Sequence, residues 1–103
     1  LFSCSAILEQ SKAQLEINQF IDKTKAVMGQ PDSMLHYADL AYQKAKTIND
    51  TKGLATAAKF KGVANYLKSD FKSSVKHYQE ALKLFSSLKD TLEIAKANLN
   101  IAT

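Results

Sequence analysis

AYQKAKTIND at residues 41–50 is answered by ALKLFSSLKD at residues 81–90, so that Asp50 and Asp90 stand forty residues apart. The same shift carries Ala55 onto Ala95, Ala57 onto Ala97 and Gly62 onto Ala102, and backwards it takes Ser69-Asp70 onto Gly29-Gln30. A fixed period of roughly 20 to 50 residues marks an array of supersecondary units, each burying its apolar face on the next. The fold therefore follows from what one period contains.

Within the period the apolar spacing is helical. Phe71, Val75, Tyr78, Ala81, Leu82, Phe85 and Leu88 form one continuous stripe when wound at 3.6 residues per turn. The helix before it begins near Lys52 and runs through Leu54, Ala57, Ala58, Val63, Ala64 and Leu67 to a turn at Lys68-Ser69-Asp70. Its alanines and Gly62 let a partner backbone come close, which an antiparallel helix hairpin with a short connection requires. The earlier period reads likewise, with a helix from about Glu9 to Met28 carrying Leu15, Ile17, Phe20, Ile21 and Val27, then a break at Gly29-Gln30. Pro31 opens the second helix, where its missing N–H costs nothing, and Asp32 complements the helix dipole; Asp32 or Ser33 is the expected cap. That stripe continues through Met34, Leu35, Ala38, Ala41, Tyr42, Ala45 and Ile48 to Asn49-Asp50. A fifth helix is predicted from near Leu92, with Ile94, Ala95, Leu99 and Ala102, still in progress at Thr103 as though a repeat were cut short. The chain divides accordingly into a leader at 1–8, repeats at 9–50 and 51–90, and the first helix of a third repeat at 91–103.

Composition narrows the function classes. Hydrophobic residues at 46% and charged ones at 23% suit a packed globular chain, and three Gly with one Pro leave little turn chemistry, so an all-α fold is expected. The net charge of +4 rests entirely on lysine. Without the planar guanidinium fork, bidentate reading of phosphate or guanine has no candidate residue, and Lys12, Lys44, Lys68 and Lys89 are spread out instead of clustered, so no nucleic-acid partner is expected. No run of 18 apolar residues is present, so no transmembrane segment is expected. A single cysteine, Cys4, leaves no internal disulfide framework. Leu1-Phe2-Ser3-Cys4-Ser5 has the pattern of the end of a bacterial lipoprotein signal, which would make Cys4 a lipidation site and place the protein at the cell envelope; as an ordinary free thiol it would leave the protein cytoplasmic.

The chemistry-bearing residues do not assemble a reactive constellation. His36 with Asp39 and His77 with Glu80 are the best metal candidates, but a single His-x-x-carboxylate falls short of the facing pair a helical metal site needs. Ser73, Ser74, Ser86 and Ser87 read as helix-surface residues with no histidine and acid framework, and no glycine-rich phosphate loop occurs. The expectation is a protein that is not an enzyme and uses no cofactor.

KGVANYLKSDFKSSVKHYQEAL at residues 61–82 resembles the tetratricopeptide repeat: Gly62 stands at its close-packing glycine, Ser69-Asp70-Phe71 at its Gly-Asp-Tyr turn, and Tyr78 with Ala81-Leu82 at its second-helix signature. Departures are the absence of Trp, Lys61 for the usual leucine, Ser74 for a packing alanine, no closing proline, and Asp22 in the place of Gly62 in the first repeat. The resemblance implies helix hairpins stacked as an α-α superhelix, about five helices here, whose first helices line a concave groove for a peptide or partner helix. Carried over, that groove would hold Gln19 and Lys23, then Lys59, Val63 and Tyr66, then Lys96 and Leu99, a mildly basic set suited to an acidic peptide. Lys59 and Asn100 fall where a subset of the family clamps a terminal carboxylate, although Val63 stands where that subset has asparagine. The period of forty is similar to repeats in bacterial signalling proteins, which implies, as a second reading, a sensory or regulatory segment beside a kinase or a DNA-binding domain. Since each hairpin leans on its neighbour, a fragment of two and a half repeats is predicted to self-associate or to need further repeats.

Overall fold

The computed structural model describes residues 4–88, with side chains from residue 7 onward. These residues form four α-helices and no strand: α1 (Cys4–Ala26), α2 (Pro31–Thr47), α3 (Thr51–Leu67) and α4 (Phe71–Ser87). The predicted fifth helix lies outside the described residues. Each helix packs on its chain neighbour, and α1 also touches α3.

Two connections are built alike, for a reason visible in the residues. Asn49 (φ 54°) and Ser69 (φ 64°) adopt the left-handed conformation that ends α2 and α3. The following aspartates then act twice: the Asp50 and Asp70 amides donate back to the Ala45 and Asn65 carbonyls, each at 2.9 Å. Their carboxylates in turn accept from the amides of Gly53 (3.0 Å) and Ser73 (3.3 Å), capping the next helix. One short polar residue thus closes one helix and opens another.

The first connection differs. It spans four residues between Ala26 and Pro31, where the α3–α4 connection spans three between Leu67 and Phe71. Gly29 (φ 93°) makes the left-handed turn, and the Gln30 amide donates only to the Val27 carbonyl at 3.0 Å. Gln30 occupies the cap position without a side-chain bond, so neither Asp32 nor Ser33 caps α2 as expected; Pro31 at the first position already dispenses with one donor. The first helix, expected from about Glu9, already begins at Cys4. Ala6, Ile7 and Leu8 contain no breaker, and extending an existing helix avoids a new nucleation step.

The extra loop residue turns α1 about its axis relative to the forty-residue register. The positions forty before Ala55, Ala58, Gly62 and Asn65, which are buried, are Leu15, Asn18, Asp22 and Lys25, which are all exposed. Moved by one, the set becomes Gln14, Ile17, Ile21 and Thr24, and the last three are buried. Ile21, not Asp22, therefore stands in the place of Gly62, and Leu15, expected in the core, is 58% exposed.

Ile17, Ile21, Met34, Ala38, Ala41, Ala45, Ala57, Phe60 and Ala64 form one core shared by α1, α2 and α3. A second cluster, Ala55, Ala58, Ala81 and Phe85, joins α3 to α4. Helix α3 is thus buried on two sides, which its alanines permit by keeping the backbones near one another. Ser74 is no surface serine: it is 3% exposed, and its hydroxyl donates to the Gly62 carbonyl at 2.8 Å, tying α4 to α3 where Gly62 meets the Tyr78 ring.

Candidate functional site

Where α1 passes α3 a cleft of about 400 Å³ opens. Ile17, 1% exposed, and Ile21 form its apolar floor. Gln14, Asn18, Asp22 and Lys25 line it from α1, while Lys52, Gly53 and Thr56 face them from α3 and Asp50 from the connection before it. The Gln14 amide donates to Asn18 Oδ1 at 3.2 Å, leaving further donor and acceptor positions on both side chains. An apolar floor with amide, hydroxyl and ammonium groups along its rim can hold a polypeptide backbone and discriminate its charge.

The predicted groove residues are placed as follows. Lys59 is half-buried with its ammonium 5.3 Å from the Phe60 ring centroid, and Val63, also half-buried, packs against the shared core. Tyr66 is 45% exposed and stands edge-on to Phe71 at 5.4 Å. With the one-residue correction, Asn18, Asp22 and Lys25 are the α1 counterparts of these three. None of Gln19, Lys23, Lys59, Val63 and Tyr66 is among the residues that line the cleft; Lys23 extends toward α2, 5.7 Å from the Tyr37 ring centroid. Lys96, Leu99 and Asn100 lie outside the described residues, as does the side chain of Cys4. The signal that identifies Asn18, Asp22 and Lys25 was present in the chain: Ile17, Ile21 and Thr24 share a face with Phe20, so the residues one step on from each belong to the neighbouring face.

A larger cavity, about 590 Å³, lies at the open end of the α1–α2 hairpin. The ion pair Glu16–Lys44 at 3.0 Å spans its wall, so its nearest charges already satisfy each other. The α1–α3 cleft is the better candidate because its lysines, Lys25 and Lys52, make no such ion pair among the described residues.

A third polar cluster ties the helices together. The Tyr42 hydroxyl of α2 donates to Glu80 Oε2 of α4 at 2.7 Å, and Lys61 of α3 lies 4.7 Å from the Tyr42 ring centroid and 3.4 Å from Asp39 Oδ1. Lys61, a departure from the family pattern, thereby acquires a purpose: it reaches across to α2. Burial, reinforced by the Lys61 charge, lowers the His77 pKa, so this imidazole favours its neutral form. The bond to Glu80, then burial, push the Tyr42 phenol from 10.0 up to about 12. Because that value is raised on folding, the bond's contribution is complete below pH 10 and fades as pH rises toward 12. Tyr42→Phe is expected to lose about 1 kcal/mol at neutral pH and to show a shallower decline of the urea midpoint above pH 10 than the unaltered chain. Equal slopes would show that Tyr42 does not govern this decline.

Among the described residues no three His, Cys, Asp or Glu side chains converge as a metal site, and no helix is long and apolar enough to cross a membrane. Compared with protein-family models, curated proteins and solved structures, the chain has no significant match.

Proposed function

We propose that this chain is part of a tetratricopeptide-like scaffold that holds a peptide or partner helix across the cleft between α1 and α3. The observation that carries this reading is the apolar floor of Ile17 and Ile21 between Asn18, Asp22 and Lys25 on α1 and Lys52 and Thr56 on α3, with Lys59, Val63 and Tyr66 farther along α3 and outside the cleft lining. Asn18 and Gln14 offer amides matched to a main chain, and the exposed Tyr66 ring offers a flat apolar anchor. Lys25 and Lys52 are balanced by Asp22 and Asp50 in the cleft, so an acidic ligand is favoured by the chain's net charge of +4 and not by a charge excess in the cleft itself. Stacked hairpins continuing as a superhelix belong to the same proposal, and the recurrence of the Asp50 and Asp70 connections supports them.

The test is selection of acidic dodecamers from a displayed peptide library, followed by titration of the best binder. Lys25→Glu with Lys52→Glu is expected to weaken binding about tenfold or more, on the order of 1.4 kcal/mol, and Tyr66→Ala by a similar factor. Gln19→Ala and Lys23→Ala serve as controls expected to change it less than twofold. Binding indifferent to the Lys25 and Lys52 changes would eliminate this site, and binding indifferent to Tyr66→Ala would remove Tyr66 as an anchor beyond it.

A further inference from the structure

Three cavities follow one another along α1 and run together. The one at the open end of the α1–α2 hairpin shares Gln10 and Ile48 with a smaller one of about 340 Å³, which in turn shares Gln14 and Asp50 with the α1–α3 cleft. Each junction therefore has α1 on one side and the α2–α3 connection on the other. A single row of α1 side chains passes through the whole trough: Gln10, Gln14, Asn18 and Asp22 stand four residues apart, and all are exposed.

The spacing and chemistry of this row match an extended polypeptide. Four residues of α-helix rise about 6 Å, and a row of this kind is inclined about 26° to the axis, so its side chains succeed one another at about 6.7 Å. Two residues of extended chain cover about 6.4–6.8 Å. In such a chain one residue turns both its N–H and its C=O to one edge and the next turns both to the other, so each edge repeats at every second residue. A side-chain amide offers a donor and an acceptor together, which complements that pair. The bond from the Gln14 amide to Asn18 Oδ1 holds these two in line and still leaves each of them a donor and an acceptor. A helix laid in the trough would bring no such pairs to the row, because its backbone groups are bonded internally.

We propose that the trough takes an extended segment of about six residues lying along α1, read through its main chain by Gln10, Gln14 and Asn18. Asp22, an acceptor only, ends the row. This inference rests on the peptide-scaffold reading of the α1–α3 cleft and narrows it in two ways: the ligand is a strand and not a partner helix, and its site continues past the cleft as far as Gln10.

The experiment titrates the full 103-residue chain with the acidic dodecamer selected as above and with versions of it N-methylated at one residue at a time. Gln14→Met with Asn18→Leu nearly keeps the side-chain size and removes the hydrogen-bonding groups; this double change is expected to weaken binding about tenfold or more, and Gln10→Met about threefold or more. The circular dichroism of these variants is expected to match the parent, since all three side chains are exposed. N-methylation is expected to weaken binding at every second residue over a stretch of about six and to spare the residues between. Affinity indifferent to the Gln14 and Asn18 changes overturns the inference, as does sensitivity to N-methylation that does not alternate. If the Lys25 and Lys52 changes still weaken binding in that case, the cleft stands and only the extended, main-chain reading falls. A library without a binder, or a binder indifferent to Lys25 and Lys52 as well, removes the peptide-scaffold reading and this inference with it.

Discussion

Phe85→Ala is expected to cost about 3–5 kcal/mol, the largest single loss available in the described part of the chain. Phe85 is fully buried, and its surroundings are Ala55, Ala58 and Ala81, with Leu84 at the margin. Methyl groups attached directly to helix backbones cannot swing into a vacated space; filling it requires whole helices to move. The cavity term is therefore added almost undiminished to the lost transfer free energy. Against the roughly 5–15 kcal/mol that holds a small domain together, this loss brings α4 close to detachment from α3. Urea unfolding followed by far-ultraviolet circular dichroism checks it: the midpoint is expected to fall steeply, while Phe85→Leu falls by less than half as much. A Phe85→Ala midpoint within experimental error of the parent would show that α3 and α4 are not joined through this ring.

Gly62 supplies the second large effect, as a contrast between two substitutions. A Cβ there would lie 3.2 Å from Cγ, Cδ1 and Cδ2 of Tyr78, a ring only 4% exposed. Alanine gains about 1 kcal/mol of helix preference over glycine, which offsets a contact that a shift of a few tenths of an ångström relieves. Gly62→Ala is accordingly expected within about 1 kcal/mol of the parent, since overpacking costs of this kind are about 1–3 kcal/mol. Valine adds two further methyls on a stiff χ1 and has nowhere to put them. Gly62→Val is expected to lose about 2 kcal/mol or more, and to weaken the Ser74 hydroxyl bond to the Gly62 carbonyl as the helices part. Thermal melts of both variants decide the matter: if the two behave alike, the close approach of α3 to α4 at this point is wrong.

The four helices and their order were legible in the chain because the signals are local. The stripes beginning at Met34 and Phe71 and the turns at Asn49-Asp50 and Ser69-Asp70 each declare themselves within a few residues. Which residues those helices bring together was less legible. Ser74 looks like an indifferent helix-surface serine until α3 arrives with the Gly62 carbonyl, and Lys61 looks like a flaw in the repeat until Asp39 and Tyr42 stand opposite. The candidate cleft was not readable: none of Gln19, Lys23, Lys59, Val63 and Tyr66, the described residues expected in the groove, lines it, because the meeting of α1 with α3 is a tertiary arrangement.

By itself the sequence determined that this chain is helical, where three of its connections break, and that its pattern recurs every forty residues, because helix propensity, apolar period and aspartate capping act over one or two turns. Only the tertiary structure decided which way α1 faces. One additional residue in the Val27 to Gln30 connection, and a turn closed by a bond to Val27 in place of the longer bond that Asp70 makes to Asn65, rotate that helix by a single position. The rotation puts Ile17 and Ile21 into the core shared with α2 and α3 and leaves Asn18, Asp22 and Lys25 beside the cleft, a choice between the apolar faces of α1 that the packing surface opposite it settles.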